Sequence, residues 1–463
     1  MSTSPGNEQK RVLGLGSATS VVVAAMIGSG IFFTTGEIGA SLVTPLNVLM
    51  VWLVCGLLTL CGALTMGELG AMLPHAGGIY VFVKRAFGRF VGCFIGLEYV
   101  LIGTPSGLAI ISLATGNYLV KLLPWMPPRV TAILAIAVIT LVHCCGTTFG
   151  AAINNFGAAL KIFLLASFIL LGLFMPAPEI VEQVRQVDVP GILSSEFATA
   201  VIIVNFAFVG WAIVTNLGGE ISRPSRNIPL SVVGGVTLVT IIYLLMNIVF
   251  LKAIPPSAMV DEAGAPTKTL GYMVAERLFP TWFADSLGWM IVLLMISTIL
   301  SVVLSGARMA YAMAKSGQMP SVFTQLNSKG SPVPALLLQA AITIILILAF
   351  DIRTLLLFGG LLAMFSMALM MGSMLILRRT ASNLERPFRV PLYPLPPLIS
   401  IGVAIWLSWH IATNNEAALL FTVIAIVIIG LLTVIIERLR DQSPPEGDEP
   451  PSPSRTMNDL PGG

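Results

Sequence analysis

The chain has 463 residues, of which 56% are hydrophobic and only 10% are charged, and its formal net charge is +3. Soluble domains carry roughly 25% charged residues, so this composition excludes an ordinary soluble enzyme. A membrane-spanning helix needs about 20 consecutive apolar residues, and stretches such as 38–67 and 417–436 contain no Asp, Glu, Lys or Arg. The composition therefore predicts an all-α, multi-pass membrane protein.

Apolar runs, separated by Gly, Pro and charged residues, predict twelve membrane-spanning helices. Their predicted limits are 12–37, 45–73, 88–120, 129–148, 155–176, 195–220, 228–252, 285–314, 333–350, 354–378, 395–414 and 417–437. Residues 438–463 are rich in Pro, Ser, Asp and Gly and cannot bury enough apolar surface to fold. The predicted organisation is a cytoplasmic segment at 1–11, a transmembrane domain at 12–437 and a disordered cytoplasmic tail at 438–463.

The orientation of the helices follows from the distribution of basic residues. An even number of spans places both termini on the same side of the membrane. With the termini inside, most Lys and Arg residues of the loops fall on the cytoplasmic side, as the positive-inside rule requires. The sequence therefore predicts that both termini are cytoplasmic.

Two predicted helices are interrupted by glycine in corresponding positions, five helices apart. The first contains the sequence GSG at 28–30, and the sixth contains FAFVGW at 206–211 followed by Gly218 and Gly219. Glycine is common where membrane helices pack closely, and this is the simpler interpretation of either segment alone. The pairing of the two segments favours an inverted repeat whose first and sixth helices are broken.

A broken membrane helix exposes backbone groups that must meet a ligand or line a cavity. Free N–H groups at Gly28, Ser29 and Gly30 suit an anion, helped by the helix dipole. Free carbonyl groups of Met26 and Phe206 suit a cation. An α-amino acid, which carries both charges, satisfies both sets of groups, and the sequence predicts this class of ligand.

Two charged residues and one tryptophan within the predicted helices are candidates for a functional role. Lys161 either faces the interior of the helix bundle, as functional lysines in membranes do, or extends to the membrane surface. Glu98 forms either a structural ion pair or part of a proton relay. Trp211 adjoins the sixth-helix break. No His, Cys, Asp or Glu residues have metal-ligand spacing, so no metal and no cofactor are predicted, and the five cysteines are interpreted as packing residues.

In five stretches the chain resembles the amino acid–polyamine–organocation transporters, and most of all their L-type amino acid transporter branch. The stretches are IGSGIF at 27–32, GELGAMLP at 67–74 with AGGIY at 76–80, LEYVLI at 97–102 with PS at 105–106, residues 153–161, and FAFVGW at 206–211 followed by Glu220 and NIP at 227–229. The resemblance implies a LeuT-like fold, with five plus five inverted helices, helices 1 and 6 unwound, and two further C-terminal helices.

The resemblance also implies roles for individual residues. It implies a substrate site at Met26, Gly28, Ser29, Gly30, Phe206, Ala207 and Val209. Phe206 and Trp211 are the implied gate. Lys161 corresponds to the lysine that stands where sodium sits in sodium-driven relatives, and we expect it to reach the hydroxyl groups of Ser297 or Ser301; Glu98 is a second coupling candidate. Val209 replaces a residue that is usually smaller in the family.

The function implied is a sodium-independent secondary transporter that moves amino acids across the plasma membrane by alternating access, as an exchanger of neutral L-amino acids. It is not an enzyme and binds no nucleic acid. A proton-coupled symporter, a polyamine or amine exchanger and a non-transporting amino acid receptor remain open alternatives. Residues 121–129, which connect the third and fourth predicted helices, contain no cysteine that could form a disulfide with a partner. We therefore expect no disulfide-linked glycoprotein partner, and we expect a monomer or a homo-oligomer.

Overall fold

The computed structural model describes residues 13–28, 30–73, 78–145, 162–176, 191–216, 221–261 and 263–441. Over these residues the chain is helical, and β-pairing is limited to two isolated bridges, Leu13 with Ile221 and Val260 with Pro266. Seven helices in this part of the chain are long and apolar enough to cross a membrane, and an eighth span is counted if one bent helix pair is taken together. The prediction of an all-helical, multi-pass membrane protein is therefore confirmed.

The helices are numbered here in chain order. They are α1 (Leu15–Met26), α2 (Gly30–Leu42), α3 (Pro45–Met72), α4 (Gly78–Phe87), α5 (Arg89–Glu98), α6 (Thr104–Leu122), α7 (Pro128–Cys144), α8 (Ile162–Phe174), α9 (Ser195–Asn205), α10 (Ile213–Asn216), α11 (Pro224–Ala253), α12 (Leu270–Leu278), α13 (Thr281–Lys315), α14 (Val333–Ala349), α15 (Ile352–Thr380), α16 (Leu395–Asn414) and α17 (Glu416–Asp441).

The third predicted span is continuous but contains a local irregularity. A π-helical turn, Tyr99–Gly103, joins α5 to α6, and the whole of Arg89–Leu122 counts as one span. Pro105 lies in the first turn of α6 and has no N–H to donate, so one carbonyl of the preceding turn loses its helical partner. A widened turn is one way in which a helix accommodates such a residue.

Two short helices, α4 and α12, lie between predicted spans and were not predicted. Both are short and amphipathic, and α4 carries Lys84 and Arg85 in its last turn, where cations favour the negative end of the helix dipole. An apolar-run criterion does not detect helices of this kind. At the other end of the chain, α17 extends to Asp441, beyond the predicted limit at 437. Residues 1–12 and 442–463, which hold the predicted N-terminal segment and all but the first four residues of the predicted tail, lie outside the described residues.

The interior of the bundle is organised around α11. This helix packs closely against both α3 and α1. Trp52 of α3 and Tyr243 of α11 lie edge to face with ring centroids 5.2 Å apart, and Phe208 contacts both rings at 5.9 and 5.3 Å. This aromatic cluster, which is fully buried, holds the segment after α9 against α3 and α11. It thereby fixes the position of the segment that follows α9.

Candidate functional site

The first helix break lies between α1 and α2. Helix α1 ends at Met26, Ile27 is extended, α2 begins at Gly30, and the two helices meet at an angle of 44°. Ser29 lies outside the described residues. The last carbonyl groups of α1 and the first N–H groups of α2 have no partners within their own helices. The negative end of one helix dipole and the positive end of another therefore meet at this point.

The segment after α9 forms the second half of the site. A short 3₁₀ turn covers Phe206–Phe208, Val209 is extended, and Gly210 has a φ of 112°, in the left-handed region that favours glycine. A Cβ atom at Gly210 would lie 2.6 Å from the carbonyl oxygen of Ala25. This segment therefore passes directly against the end of α1.

The two breaks touch at a second point. A Cβ atom at Gly30 would lie only 2.7 Å from both the Cα and the Cβ atoms of Ala207. Real Cβ atoms do not come this close, so the first residue of α2 must be glycine if the segment after α9 keeps its position. The glycine that the sequence analysis assigned to anion binding thus also permits the contact between the breaks.

Tyr243 joins the two breaks through its hydroxyl group. The oxygen lies 2.8 Å from the carbonyl oxygen of Met26 and 3.0 Å from that of Ala207. A phenol carries one proton, so Tyr243 donates to one of these carbonyls at a time. Tyr243 was not predicted from the sequence. Tyr243 and Asn247 are polar and four residues apart in an otherwise apolar part of α11, and this spacing was the available signal.

Asn247 extends the polar contacts to α2 and α3. Its side-chain N–H donates to the carbonyl oxygen of Tyr243 at 2.7 Å, and its side-chain oxygen accepts from the Thr35 hydroxyl at 2.6 Å. The Trp52 indole N–H donates to the same Thr35 oxygen at 3.1 Å. All four side chains are buried. Buried polar networks that are satisfied in this way fix a single arrangement, here of α2 relative to α3 and α11.

The predicted gate residues lie on different sides of this segment. Phe206 is half-buried, and its ring centroid is 6.1 Å from that of Phe33 in α2, with an angle of 47° between the rings. Ala207 is buried, whereas Val209 is 55% exposed. Trp211 packs towards α3, with ring atoms 3.0 and 3.1 Å from where a Cβ of Gly62 would lie. Of the two, Phe206 is therefore the residue beside the α1–α2 break.

Lys161, which is predicted to take the place of a sodium ion, lies outside the described residues. Only the α13 side of this predicted site is therefore described. Helix α13 passes the break, and the methyl group of Thr298 lies 3.7 Å from where a Cβ of Gly28 would be. Within the described chain, the buried hydroxyl of Ser297 has no hydrogen-bond partner. The Ser301 hydroxyl donates to the carbonyl of Ser297 at 2.9 Å.

Glu98 is buried at the end of α5. Its Oε2 atom accepts a hydrogen bond from the Ser366 hydroxyl of α15 at 3.0 Å. This contact joins Glu98 to α15 and not to α1 or α2. The part of the chain with described coordinates contains no group of three or more His, Cys, Asp or Glu residues arranged to hold a metal ion.

Comparison with known proteins matches residues 13–437 to the amino acid permease family. The serine/threonine exchanger SteT of Bacillus subtilis is 27% identical over 401 residues, which cover 86% of this chain and 90% of the relative. The b(0,+)-type amino acid transporter 1 of Mus musculus is 29% identical over 412 residues, covering 86% and 82%. The large neutral amino acids transporter small subunit 2 of Mus musculus is 28% identical over 440 residues, covering 86% and 80%.

Proposed function

The chain belongs to the amino acid permease family, in the L-type branch of the amino acid–polyamine–organocation superfamily, and from this premise we propose that it is a sodium-independent secondary transporter of amino acids. It works by alternating access and exchanges neutral L-amino acids across the plasma membrane. Both termini are cytoplasmic in this proposal. The names of the three relatives, two transporters and one exchanger, support the assignment of amino acid transport.

The observation that carries the proposal is the meeting, inside the bundle, of two helix ends whose terminal backbone groups have no partners within their own helices. The N-terminus of α2 at Gly30 offers N–H groups, and the C-terminus of α1 at Met26 offers carbonyl groups. In a membrane interior such groups need a partner. A zwitterionic amino acid supplies one, with its carboxylate at Gly28, Ser29 and Gly30 and its ammonium group at the carbonyls of Met26 and Phe206.

Neutral side chains are favoured as substrates by the surroundings of the break. The described side chains that touch it, those of Phe33, Phe206, Ala207, Tyr243 and Thr298, are all uncharged. A charged substrate side chain buried there without a partner would be costly. Val209 and Phe206 complete the proposed pocket, and Phe206, with Trp211 behind it, closes over the bound amino acid.

Sodium independence rests on Lys161. We propose that its ammonium group lies between the broken first helix and α13 and replaces a bound cation there. The buried hydroxyl of Ser297, which has no hydrogen-bond partner among the described residues, and the neighbouring Ser301 support this position, because a buried hydroxyl without a partner is costly.

The proposed architecture is LeuT-like, with five plus five inverted helices and two appended C-terminal helices. The seven long spans, the bent pair α1–α2 and the four shorter apolar helices of the described residues support this proposal. The transmembrane domain covers 12–437, between terminal segments 1–11 and 438–463. The protein functions as a monomer or homo-oligomer without a disulfide-linked glycoprotein, because the connection at 121–129 contains no cysteine.

The test is uptake of a panel of labelled amino acids into proteoliposomes, with and without internal amino acid. We expect uptake of neutral L-amino acids that depends on internal substrate and is unchanged when choline replaces sodium. Binding without uptake would instead identify a receptor, and uptake of polyamines alone would identify an amine exchanger. A clear loss of rate in choline would refute the role of Lys161.

Proton-coupled symport is the second candidate, and the buried carboxyl group of Glu98 favours it. A pH gradient that drives uphill uptake into liposomes without internal substrate would select symport over exchange. In that case Glu98→Gln should abolish the response to the gradient while exchange at constant pH is retained.

A further inference from the structure

Helix α2, the outer half of the first broken helix, is buried in this structure, so the site is closed on this side. The outer face is defined here as the side at which α2 ends and α15 begins. Every residue from Gly30 to Gly39 is buried, so α2 exposes no side towards a pathway from that face. An open pathway would expose the side of α2 that carries Phe33, which faces Phe206.

Much of this closure comes from apolar and backbone contacts with the chain before and within α12. A Cβ atom at Gly36 would overlap the carbonyl oxygen of Thr267. The Tyr118 hydroxyl donates to the carbonyl of Phe32 at 2.8 Å and accepts from the backbone N–H of Gly271 at 3.1 Å. These contacts hold α2 to the segment at 267–271, so the two are expected to move together.

One charged contact reaches from α2 to a different helix. Arg353, in the first turn of α15, lies with its Nη1 atom 3.1 Å from Oε1 of Glu37. Helix α15 is not among the helices that pack closely along α2. The ion pair therefore joins two helices that are not otherwise closely packed. Lys268 and Asp351 are close enough to interact electrostatically with the Glu37 carboxylate.

The two partners of the ion pair lie in different surroundings. The Glu37 side chain is 3% exposed, and its second oxygen has no hydrogen-bond partner among the described residues, whereas the Arg353 side chain is 42% exposed. A buried carboxylate that loses its partner is strongly unfavourable. If α2 moves outwards, however, water reaches both groups and replaces the contact. The pair therefore favours the closed arrangement without preventing the open one.

We propose that the Glu37–Arg353 ion pair is a releasable latch that holds α2 against α15 and closes the site on the outer face. This inference rests on the proposed function, because alternating access requires α2 to leave and regain this position. The latch sets how often the outer face opens, and removing either charge shifts the equilibrium towards the open arrangement.

The test measures the opening of the outer face directly. A single reporter, Phe33→Cys, is placed in a variant whose five native cysteines are replaced, and its labelling by a membrane-impermeant maleimide is timed from each side of the membrane. Without the latch, the rate of labelling from the outer face should rise about three- to tenfold, the range expected for a half-exposed ion pair. Both Glu37→Gln and Arg353→Gln should show the increase.

Two controls separate the latch from a general loss of charge or stability. Arg277→Gln removes an exposed arginine of α12 and should leave the labelling rate unchanged. The double variant Glu37→Gln/Arg353→Gln should show no more labelling than the larger of the two single variants, because both changes remove the same interaction. If Glu37→Gln does not fold, Arg353→Gln, whose side chain is nearer to water, still gives the measurement.

The outcome does not depend on transport. Unchanged labelling in Arg353→Gln, together with a lowered thermal unfolding temperature, would show that the pair is only structural and would overturn the latch. Increased labelling in a protein that takes up no amino acid would support the latch and instead contradict the proposed function.

Discussion

Two buried carboxylates, at opposite ends of the helix bundle, are held in different ways. Glu68, near the end of α3, accepts from Nε of Arg378 at 2.8 Å and from the backbone N–H of Val390 at 2.7 Å, and forms an ion pair with Arg386 at 3.5 Å. Glu37 has one arginine partner and one oxygen without a hydrogen bond among the described residues.

The partners of Glu68 are themselves tied to the surrounding chain. Arg386 donates to the carbonyls of Leu377 and Ala381, both at 2.9 Å, and Arg378 stacks on the ring of Tyr393 at 3.7 Å. A buried charge cluster whose members are held by several contacts is expensive to break. Helix α15 is therefore held firmly at one end, through Glu68, and is released at the other end, through Glu37, in the proposed latch.

The largest effect is expected from removing the Glu68 carboxylate, which two arginines share. Glu68→Ala leaves two arginines without their shared anion, and breaking a buried ion pair costs about 3–5 kcal/mol. We expect a large fall in thermal unfolding temperature in detergent and little protein in the membrane. The exposed, neighbouring Glu385→Ala serves as the matched control. Normal stability of Glu68→Ala would show that the two carboxylates do not differ as described.

The next largest effect is expected from a substitution at Gly30, the first residue of α2. Gly30→Val forces side-chain atoms into Ala207 and into the space assigned to the substrate carboxylate, and overpacking of this kind costs about 1–3 kcal/mol. We expect amino acid binding to be lost in a protein that still inserts into the membrane, as measured by binding of labelled substrate to purified protein.

Gly28→Ala is the matched control for that substitution. A Cβ at Gly28 meets the Thr298 methyl group only at an ordinary contact distance of 3.7 Å, so the steric effect should be much smaller. If Gly30→Val binds amino acids normally, the site is not at the α1–α2 break, and the latch closes a different pathway.

These examples show what the sequence alone could provide. The apolar runs predicted the main helices because a lipid environment selects for length and low charge. Gly30 was predicted to lie at a ligand site because a break in a membrane helix is costly unless its backbone groups find a partner. The partner of Glu37 could not be predicted, since Arg353 is 316 positions away and only the fold brings the two together. Tyr243 was missed for a related reason: its spacing from Asn247 marks a polar pair in α11, but its acceptors are backbone carbonyls, which the sequence does not reveal.

A smaller effect is expected from removing the Tyr243 hydroxyl, which joins the two helix breaks. Tyr243→Phe keeps the ring in the cluster with Trp52 and Phe208 and removes only the hydroxyl that reaches Met26 and Ala207. Loss of one such hydrogen bond costs about 0.5–1.5 kcal/mol. We therefore expect a folded protein whose substrate affinity falls by up to about tenfold, measured by competition binding. Tyr99→Phe, at an exposed position, should have no effect, and an equal loss in both variants would remove Tyr243 from the site.

The central claim is that the two broken helices recognise the zwitterionic backbone of an amino acid. The most direct measurement is competition for binding to the purified protein between a neutral L-amino acid, its amide and its decarboxylated amine. Only the amino acid carries both the carboxylate for the N-terminus of α2 and the ammonium group for the carbonyls at Met26 and Phe206, so it alone should compete well. Equal competition by the amide or the amine would contradict the account.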